Sequence, residues 1–243
     1  MFNRNFALAF ALAVPQVALA TTVSAQVTRE EFSTSDRAPW TRSEVSVDTG
    51  EVGVFSKAGA TVAADHRFGI TAKSGQVYGV YEVAKNFALE ARLQGSTGAP
   101  FLAKQGVELT VYTGLPGKLE LSASVSRKKF ELESVTQVRA QLDREFGAWR
   151  VGAGRIVDSS VGSKVSFGVL QYSHARGTVD ARLYRGTESE RTARGDATVS
   201  SVRTVSLGGS LKLRNSNQLR LSITRTLTNA PRTGLSFGFV HSL

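Results

Sequence analysis

The chain has no cysteine among its 243 residues, and aromatic residues make up only 8% of it. The lack of cysteine excludes a disulfide framework and any catalytic or zinc site built from thiolates. Beyond residue 25 no stretch approaches the roughly 20 consecutive apolar residues that a membrane-spanning helix needs. Charged residues recur every few positions, and the mean hydropathy is −0.10. The sequence therefore excludes a helical membrane protein.

Basic residues outnumber acidic ones by 30 to 20, which gives a net charge of +10. The two signs are interleaved rather than gathered into a stripe, and aromatic platforms for stacked bases are missing, so nucleic-acid binding is not expected. A basic surface of this kind suits anionic lipid headgroups or a pore that prefers anions. No cofactor or metal is expected, because no histidine or carboxylate cluster has the spacing of ligands.

The first 25 residues have the anatomy of a signal peptide. Arg4 is followed by an apolar run from Phe6 to Ala20, and two small-residue cleavage sites end at Ala20 and Ala25. Cleavage after Ala25 is favoured because it leaves Gln26 and a polar start to the mature chain. The predicted organisation is a signal peptide at residues 1–25 and a single domain at residues 26–243.

Apolar and polar residues alternate through most of that domain. The pattern is cleanest at residues 119–126, and it recurs at residues 87–94, 107–112, 137–143, 179–184, 204–213, 218–224 and 233–243. With their flanks these segments have the length of tilted strands that cross a bilayer. Tight and long connections also alternate, as they do in bacterial outer-membrane barrels. The pattern predicts an all-β fold, a transmembrane antiparallel up-and-down β-barrel of the Gram-negative outer membrane. Fourteen strands are preferred, and twelve are the alternative.

A sheet can enter hydrocarbon only by closing on itself, which places apolar side chains outward and polar ones inward. The residues predicted to line the lumen are Glu90, Arg92, Glu108, Glu120, Arg139, Asp143, Arg150, Asp180, Arg182, Lys212 and Arg220. Two interpretations remain open: a hydrated pore whose arginines and lysines favour anionic solutes or saccharides, and an interior closed by cross-strand ion pairs. The aromatic residues predicted to form interfacial girdles are Phe87, Tyr112, Phe146, Trp149 and Phe239.

Several sequence fragments resemble the YaiO family of outer-membrane β-barrels. They are NFAL at 86–89, APFLAK at 99–104, QYSH at 171–174, LYRGT at 183–187, SVRTVSL at 201–207 and NQLRL at 217–221. The resemblance covers about two thirds of the chain, and it implies an outer-membrane address with a pore-like or surface-structure role. Such barrels usually end in Phe or Trp, which the insertion machinery recognises, whereas this chain ends in Leu243. The expected partners are outer-membrane lipid and lipopolysaccharide, the barrel-assembly machinery through the C-terminal strand, and an anionic solute or saccharide.

Two functional hypotheses follow from these patterns. The first is a passive channel or an export component for an envelope saccharide. The second is a non-conducting structural or adhesion barrel that acts through extracellular loops such as the mixed-charge segment 187–198. An enzyme is not expected, because none of His66, His174 and His241 has a serine two residues away, the spacing that places both side chains on one face in the lipid A deacylase barrels.

Overall fold

A computed structural model describes residues 21–34, 37–52, 54–97, 99–214 and 216–243. The strands are β1 (Thr22–Phe32), β2 (Trp40–Thr49), β3 (Lys57–Arg67), β4 (Ile70–Ala84), β5 (Phe87–Thr97), β6 (Gln105–Leu115), β7 (Leu119–Lys129), β8 (Ser134–Phe146), β9 (Trp149–Asp158), β10 (Lys164–His174), β11 (Gly177–Arg191), β12 (Ala197–Lys212), β13 (Asn217–Leu227) and β14 (Arg232–Ser242). No helix in these described ranges is long and apolar enough to span a membrane.

The strands form one closed barrel in which each pairs antiparallel with its sequence neighbours. Strands β1 and β14 complete the ring, with Thr22 opposite Ser242 and Phe32 opposite Arg232. The predicted fourteen-stranded antiparallel barrel is confirmed. Both ends of the described chain lie at the same rim, which we call the terminal rim. The opposite rim, where β1 turns into β2, is the loop rim.

The alternating sequence decides which side chains face outward. On β12, Val205 and Leu207 are half exposed at the outer surface, whereas Val202 faces the interior with only 1% of its surface exposed. The same exposed apolar rows occur on β6, β7, β11, β13 and β14. The closed wall has an apolar outer band and no unpaired strand edge, because backbone groups in the hydrocarbon layer must all be hydrogen-bonded.

The turns follow the predicted regularity except in the two connections that flank β3. At the terminal rim the connection from β2 to β3 takes seven residues (50–56), whereas at the loop rim β3 and β4 join through Phe68 and Gly69 alone. Both turn residues have positive φ, at 54° and 76°, the geometry of a two-residue hairpin turn. Phe68 is held there by ring contacts with Trp40 and Phe101, at 5.1 and 5.8 Å between centroids.

Aromatic side chains gather on the outer surface near the terminal rim. Phe87, Phe146, Trp149 and Phe239 point outward there, as predicted for an interfacial girdle. The prediction for Tyr112 is wrong. Its hydroxyl points into the barrel and donates a 2.9 Å hydrogen bond to Glu90, because even-numbered residues of β6 face inward. Tyr172 instead completes the girdle, with its ring 4.7 Å from that of Trp149.

The two cleavage sites predicted for a leader lie next to the start of β1 and inside it. Residues 1–20 lie outside the described residues, but Thr22 to Ala25 belong to β1 and pair with both β14 and β2. Cleavage after Ala25 would remove these four residues from the seam that closes the barrel, whereas cleavage after Ala20 leaves β1 whole. We therefore expect the mature protein to begin at Thr21. Intact mass of the protein extracted from envelopes checks this, and a mass that starts at Gln26 would contradict it.

Candidate pore lumen

The structure puts the charged residues predicted to line the lumen on the inward-facing positions of their strands. On β11, Asp180 and Arg182 alternate with the outward Val179 and Leu183, each of which has 55% of its surface exposed. Glu90 and Asp143 are the most enclosed of the set, with 8% and 3% exposure. The same alternation gives the inward positions of the remaining predicted residues on β5 to β9, β12 and β13.

Two groups of ion pairs lie on the lumen wall formed by β5 to β9, one around Glu90 and one around Arg150. Arg92 donates to Glu90 at 2.5 Å within β5. Arg150 on β9 reaches Asp143 on β8 at 3.3 Å and Glu120 on β7 at 2.8 Å. A carboxylate enclosed as deeply as Asp143 requires such a partner. Much of the predicted lumen charge is therefore neutralised locally.

A second set of ion pairs lies on β2 and β3 and was missed by the sequence analysis. Asp65 is fully buried, with Arg42 at 2.8 Å and Arg67 at 3.6 Å. The signal was present, because Arg42, Glu44 and Asp48 alternate with outward residues such as Val45 and Val47. The alternation is clearest from residue 87 onward, so these earlier residues were not assigned to the lumen.

A third cluster closes the seam near the loop rim. Arg232 on β14 lies 2.8 Å from Glu30 on β1 and 3.5 Å from Glu190 on β11. Its guanidinium also lies 5.2 Å from the Trp40 ring. The guanidinium of Arg67 on β3 also packs on the Trp40 ring, at 4.8 Å from its centre. Near the loop rim, the lumen is thus narrowed by the buried Trp40 ring and the two arginines packed on it.

Hydroxyl groups dominate the wall from β11 through β14 and β1 to β3. Cross-strand hydroxyl pairs join Thr28 to Ser236 at 2.8 Å, Ser46 to Thr61 at 2.9 Å, Thr178 to Ser210 at 2.9 Å and Thr224 to Ser206 at 3.0 Å. We call this wall the hydroxyl-lined side, and it also holds the ion pairs of Asp65, Asp180 and Arg232.

Three polar cavities adjoin along the hydroxyl-lined side. The first, of about 280 Å³, is lined by Asp180, Arg182 and Arg220. It shares Gln26 and Arg220 with a second of about 220 Å³, which in turn shares Glu44 and Thr61 with a third of about 310 Å³. The third cavity reaches Leu102 and Ala103 in the connection between β5 and β6. Water-sized space thus follows the wall for much of the circumference.

The connection between β5 and β6 folds into the barrel mouth. Phe101 and Ala99 are buried, with 6% and 8% exposure, and pack with the inward Ala72 of β4. Ser96 holds the base of the loop by donating to the Ala103 carbonyl at 2.8 Å. The sequence placed this segment only as a long loop, because a loop that folds inward carries no periodic signal.

Two further connections meet over the mouth. Arg191, at the end of β11, lies 2.6 Å from Glu133 in the β7–β8 connection, and its guanidinium is 3.6 Å from the centre of the Phe130 ring. The β11–β12 connection also packs against the inward loop. Gly195 lies so close to Pro100 that a Cβ added to the glycine would be 3.1 Å from the Pro100 Cβ. We call the contact of Arg191 with Glu133 and Phe130 the mouth latch.

Some lumen cations keep no carboxylate partner within 4.0 Å among the described residues. Arg220 and Lys212 are two of them, and Arg139 is a third. Arg139 stacks on Phe167 at 4.8 Å and donates to Gln141 at 2.5 Å. Arg182 is paired with Asp180 at 3.2 Å. The unpaired positive charge is therefore concentrated in a few arginines and one lysine.

The three histidines lie on the outward face. His66 Nδ1 is 2.9 Å from the Thr71 hydroxyl, and the neighbouring Asp65 points the opposite way into the barrel. His174 accepts a hydrogen bond from the Arg176 amide at 3.2 Å. His241 Nδ1 is 2.7 Å from the Asn217 side-chain oxygen. None of these contacts brings a histidine to a serine.

Known barrels share this architecture at low sequence identity. No family model matches the sequence, and no curated protein matches it significantly. The monoaromatic hydrocarbon channel CymD is 11% identical with a TM-score of 0.63, over 94% of this chain and 90% of that one. The Acinetobacter baumannii outer membrane protein Omp33 is 8% identical with a TM-score of 0.57, over 92% and 99% of the two chains.

An outer membrane channel from Pseudomonas putida F1 is 13% identical with a TM-score of 0.55, over 95% of this chain and 97% of the other. At such identities the likeness shows the fold alone. Together with the apolar outer band, this fold assigns the protein to the outer membrane.

Proposed function

We propose that the protein is a passive outer-membrane channel for small polar solutes, with saccharides and anions as the favoured classes. The observation that carries the proposal is the row of adjoining polar cavities beneath a mouth narrowed by an inward loop. The solved barrels that it resembles include channels, which supports the same function. A role as the export component for an envelope saccharide is the form of this function that the YaiO resemblance suggests.

The chemistry of the two walls indicates the solute class. Hydroxyl groups on β11 to β14 and β1 to β3 can exchange hydrogen bonds with a sugar ring, beside charged side chains such as Glu44 and Arg220. Arg220 and Arg182 line one of the cavities, and cations in a narrow lumen lower the free energy of a passing anion. The net charge of +10 does not measure this effect, because most lumen cations are paired.

Reversing lumen charge is expected to reverse ion preference. In planar bilayers under a salt gradient, the wild-type reversal potential should indicate a preference for anions. Arg182→Glu should weaken this preference, because it also releases Asp180. Arg139→Glu together with Arg182→Glu should convert it into a preference for cations.

Arg144→Glu is the matched control, since Arg144 lies outside the lumen and stacks on Phe146 at 4.6 Å near the terminal rim. It carries the same charge change and should leave the reversal potential where it is. Equal shifts in the control and in Arg182→Glu would contradict the assignment of the permeation path.

A non-conducting structural or adhesion barrel is the second candidate. It is favoured by the mouth latch and by the ion pairs around Arg150, which together could close the lumen. Bilayer recordings separate the two: a protein that inserts, shows heat-modifiable migration and passes no current would be the second kind. Both candidates are non-enzymatic.

Membrane insertion is proposed to use the barrel-assembly machinery. Strand β14 presents Leu235, Phe237 and Phe239 on its outward face, the apolar row that such a C-terminal strand offers. The recognition would use the two aromatic residues of this row, Phe237 and Phe239.

A further inference from the structure

Basic residues are concentrated on the outward face near the loop rim. They are Arg29, Lys73, Arg127, Lys129, Arg155, Lys164, Arg185, Arg203 and Arg225. Each lies at an outward position at the loop-rim end of the apolar rows, and the acidic residue among them, Glu31, is paired with Arg29 at 3.0 Å. The lumen has both signs of charge in near balance, so much of the excess positive charge of the chain lies here.

The densest part of this surface spans β9 to β13. Arg185 on β11 is directly opposite Arg203 on β12, and Ser166 on β10 connects Arg185 to Arg155 in the same row. Arg225 is opposite Val205, one outward position from Arg203. We call Arg155, Arg185, Arg203 and Arg225 the arginine patch. Like charges directly opposite each other destabilise a sheet. None of the four has a carboxylate within 4.0 Å among the residues that the structure describes.

An apolar groove lies on the terminal-rim side of the patch, where Ile223 precedes Arg225 by two residues on β13 and pairs with Leu207 on β12. It has a volume of about 830 Å³ and is lined by Val179, Leu207, Leu221, Ile223, Leu235 and Phe237. Gly209 forms its floor, between Val179 on one side and Leu221 on the other. Its lining extends from Arg29 and Ile223 toward His174 at the terminal rim, which is the direction that an acyl chain takes below its headgroup.

We infer that the arginine patch and the groove form a binding site for a phosphorylated glycolipid of the outer leaflet. With the chain termini in the periplasm, the loop rim lies in the outer leaflet, where the phosphates of lipopolysaccharide are anchored. Guanidinium groups bind phosphate through paired, charge-assisted hydrogen bonds, which removes the repulsion between Arg185 and Arg203. The groove receives one acyl chain of the same molecule. This inference does not depend on whether the barrel conducts.

The test uses the folded, full-length protein in detergent and native mass spectrometry, with lipid A as the probe. Lipid A is the bisphosphorylated, acylated glucosamine disaccharide. Arg185→Gln with Arg203→Gln should weaken lipid A binding by about tenfold or more, because two charge-assisted contacts are lost. Arg144→Gln is the control: an outward arginine at the opposite rim, which should bind lipid A like the wild type. Heat-modifiable migration verifies that each variant is folded.

Probe chemistry separates the two parts of the site. Lipid A without its phosphates should bind as weakly to the wild type as lipid A does to the double variant. The phosphorylated disaccharide without acyl chains should also bind more weakly, because it leaves the groove empty. The inference is overturned if dephosphorylated lipid A binds equally well, if phosphatidylglycerol competes on equal terms, or if Arg144→Gln loses as much binding as the double variant.

Discussion

Single-channel conductance is expected to rise severalfold when Arg191 is replaced by alanine. The substitution removes the 2.6 Å ion pair with Glu133, the contact with the Phe130 ring and a 3.1 Å hydrogen bond to the Gly195 carbonyl. The contacts with Glu133 and Phe130 join the β11–β12 hairpin to the β7–β8 connection across the mouth, and the bond to Gly195 holds the hairpin itself; the Arg191 side chain that makes them is only 8% exposed. Released hairpins would leave the mouth wider for more of the time.

Two comparisons sharpen this experiment. Arg191→Lys keeps the charge but loses the planar fork that contacts Glu133 and Phe130 together, so its conductance should fall between those of wild type and Arg191→Ala. Lys104→Ala removes another ion pair at the mouth, the 3.1 Å contact between Lys104 and Glu131. Both side chains are about half exposed, so the conductance should stay the same. Equal conductance in Arg191→Ala and wild type would show that the latch does not limit permeation.

The largest loss of stability is expected from Arg42→Met. Asp65 is fully buried and keeps only Arg67, at 3.6 Å, once the 2.8 Å contact with Arg42 is lost. Leaving a buried carboxylate without its main partner should lower the free energy of unfolding by about 3 kcal/mol. Urea unfolding in lipid vesicles, followed by tryptophan fluorescence, measures the change, since Trp40 is packed nearby.

The double variant Arg42→Met with Asp65→Leu tests the cause. It removes the buried carboxylate and leaves only the partly exposed Glu44, which Arg42 also contacts at 2.9 Å, without this partner, so most of the lost stability should return. Arg29→Ala serves as the exposed counterpart: Arg29 and Glu31 are 60% and 64% exposed, and the loss should be within about 1 kcal/mol. A double variant that is no more stable than Arg42→Met would show that the cost arises from packing rather than from charge.

The alternating sequence predicted the barrel and the facing of its strands because a period of two fixes which side chains share a side. It predicted that Arg182 faces the lumen and Leu183 faces outward, and the structure has the same arrangement. It also favoured fourteen strands. Tyr112 was assigned by residue type to the girdle, and its position on β6 would have indicated the inward face.

Contacts between strands were beyond the reach of the pattern. Glu120 and Arg150 are thirty positions apart, and they meet because turn lengths set the register of β7, β8 and β9. The inward fold of Phe101 and the mouth latch depend on loops, which have no periodicity to read. Sequence reasoning therefore found the wall of the candidate pore but not its constriction.

The seam between β1 and β14 has a consequence for biogenesis. Thr22 and Ser242, which are 220 positions apart, face each other with their hydroxyl oxygens at 3.4 Å. The ring cannot be completed before the final strand has been synthesised and exported. Until then every partly assembled intermediate exposes two unpaired edges, which are templates for aggregation. Removing residues at either end of the seam shortens the eleven-pair contact that closes the ring, and should therefore prolong that exposure.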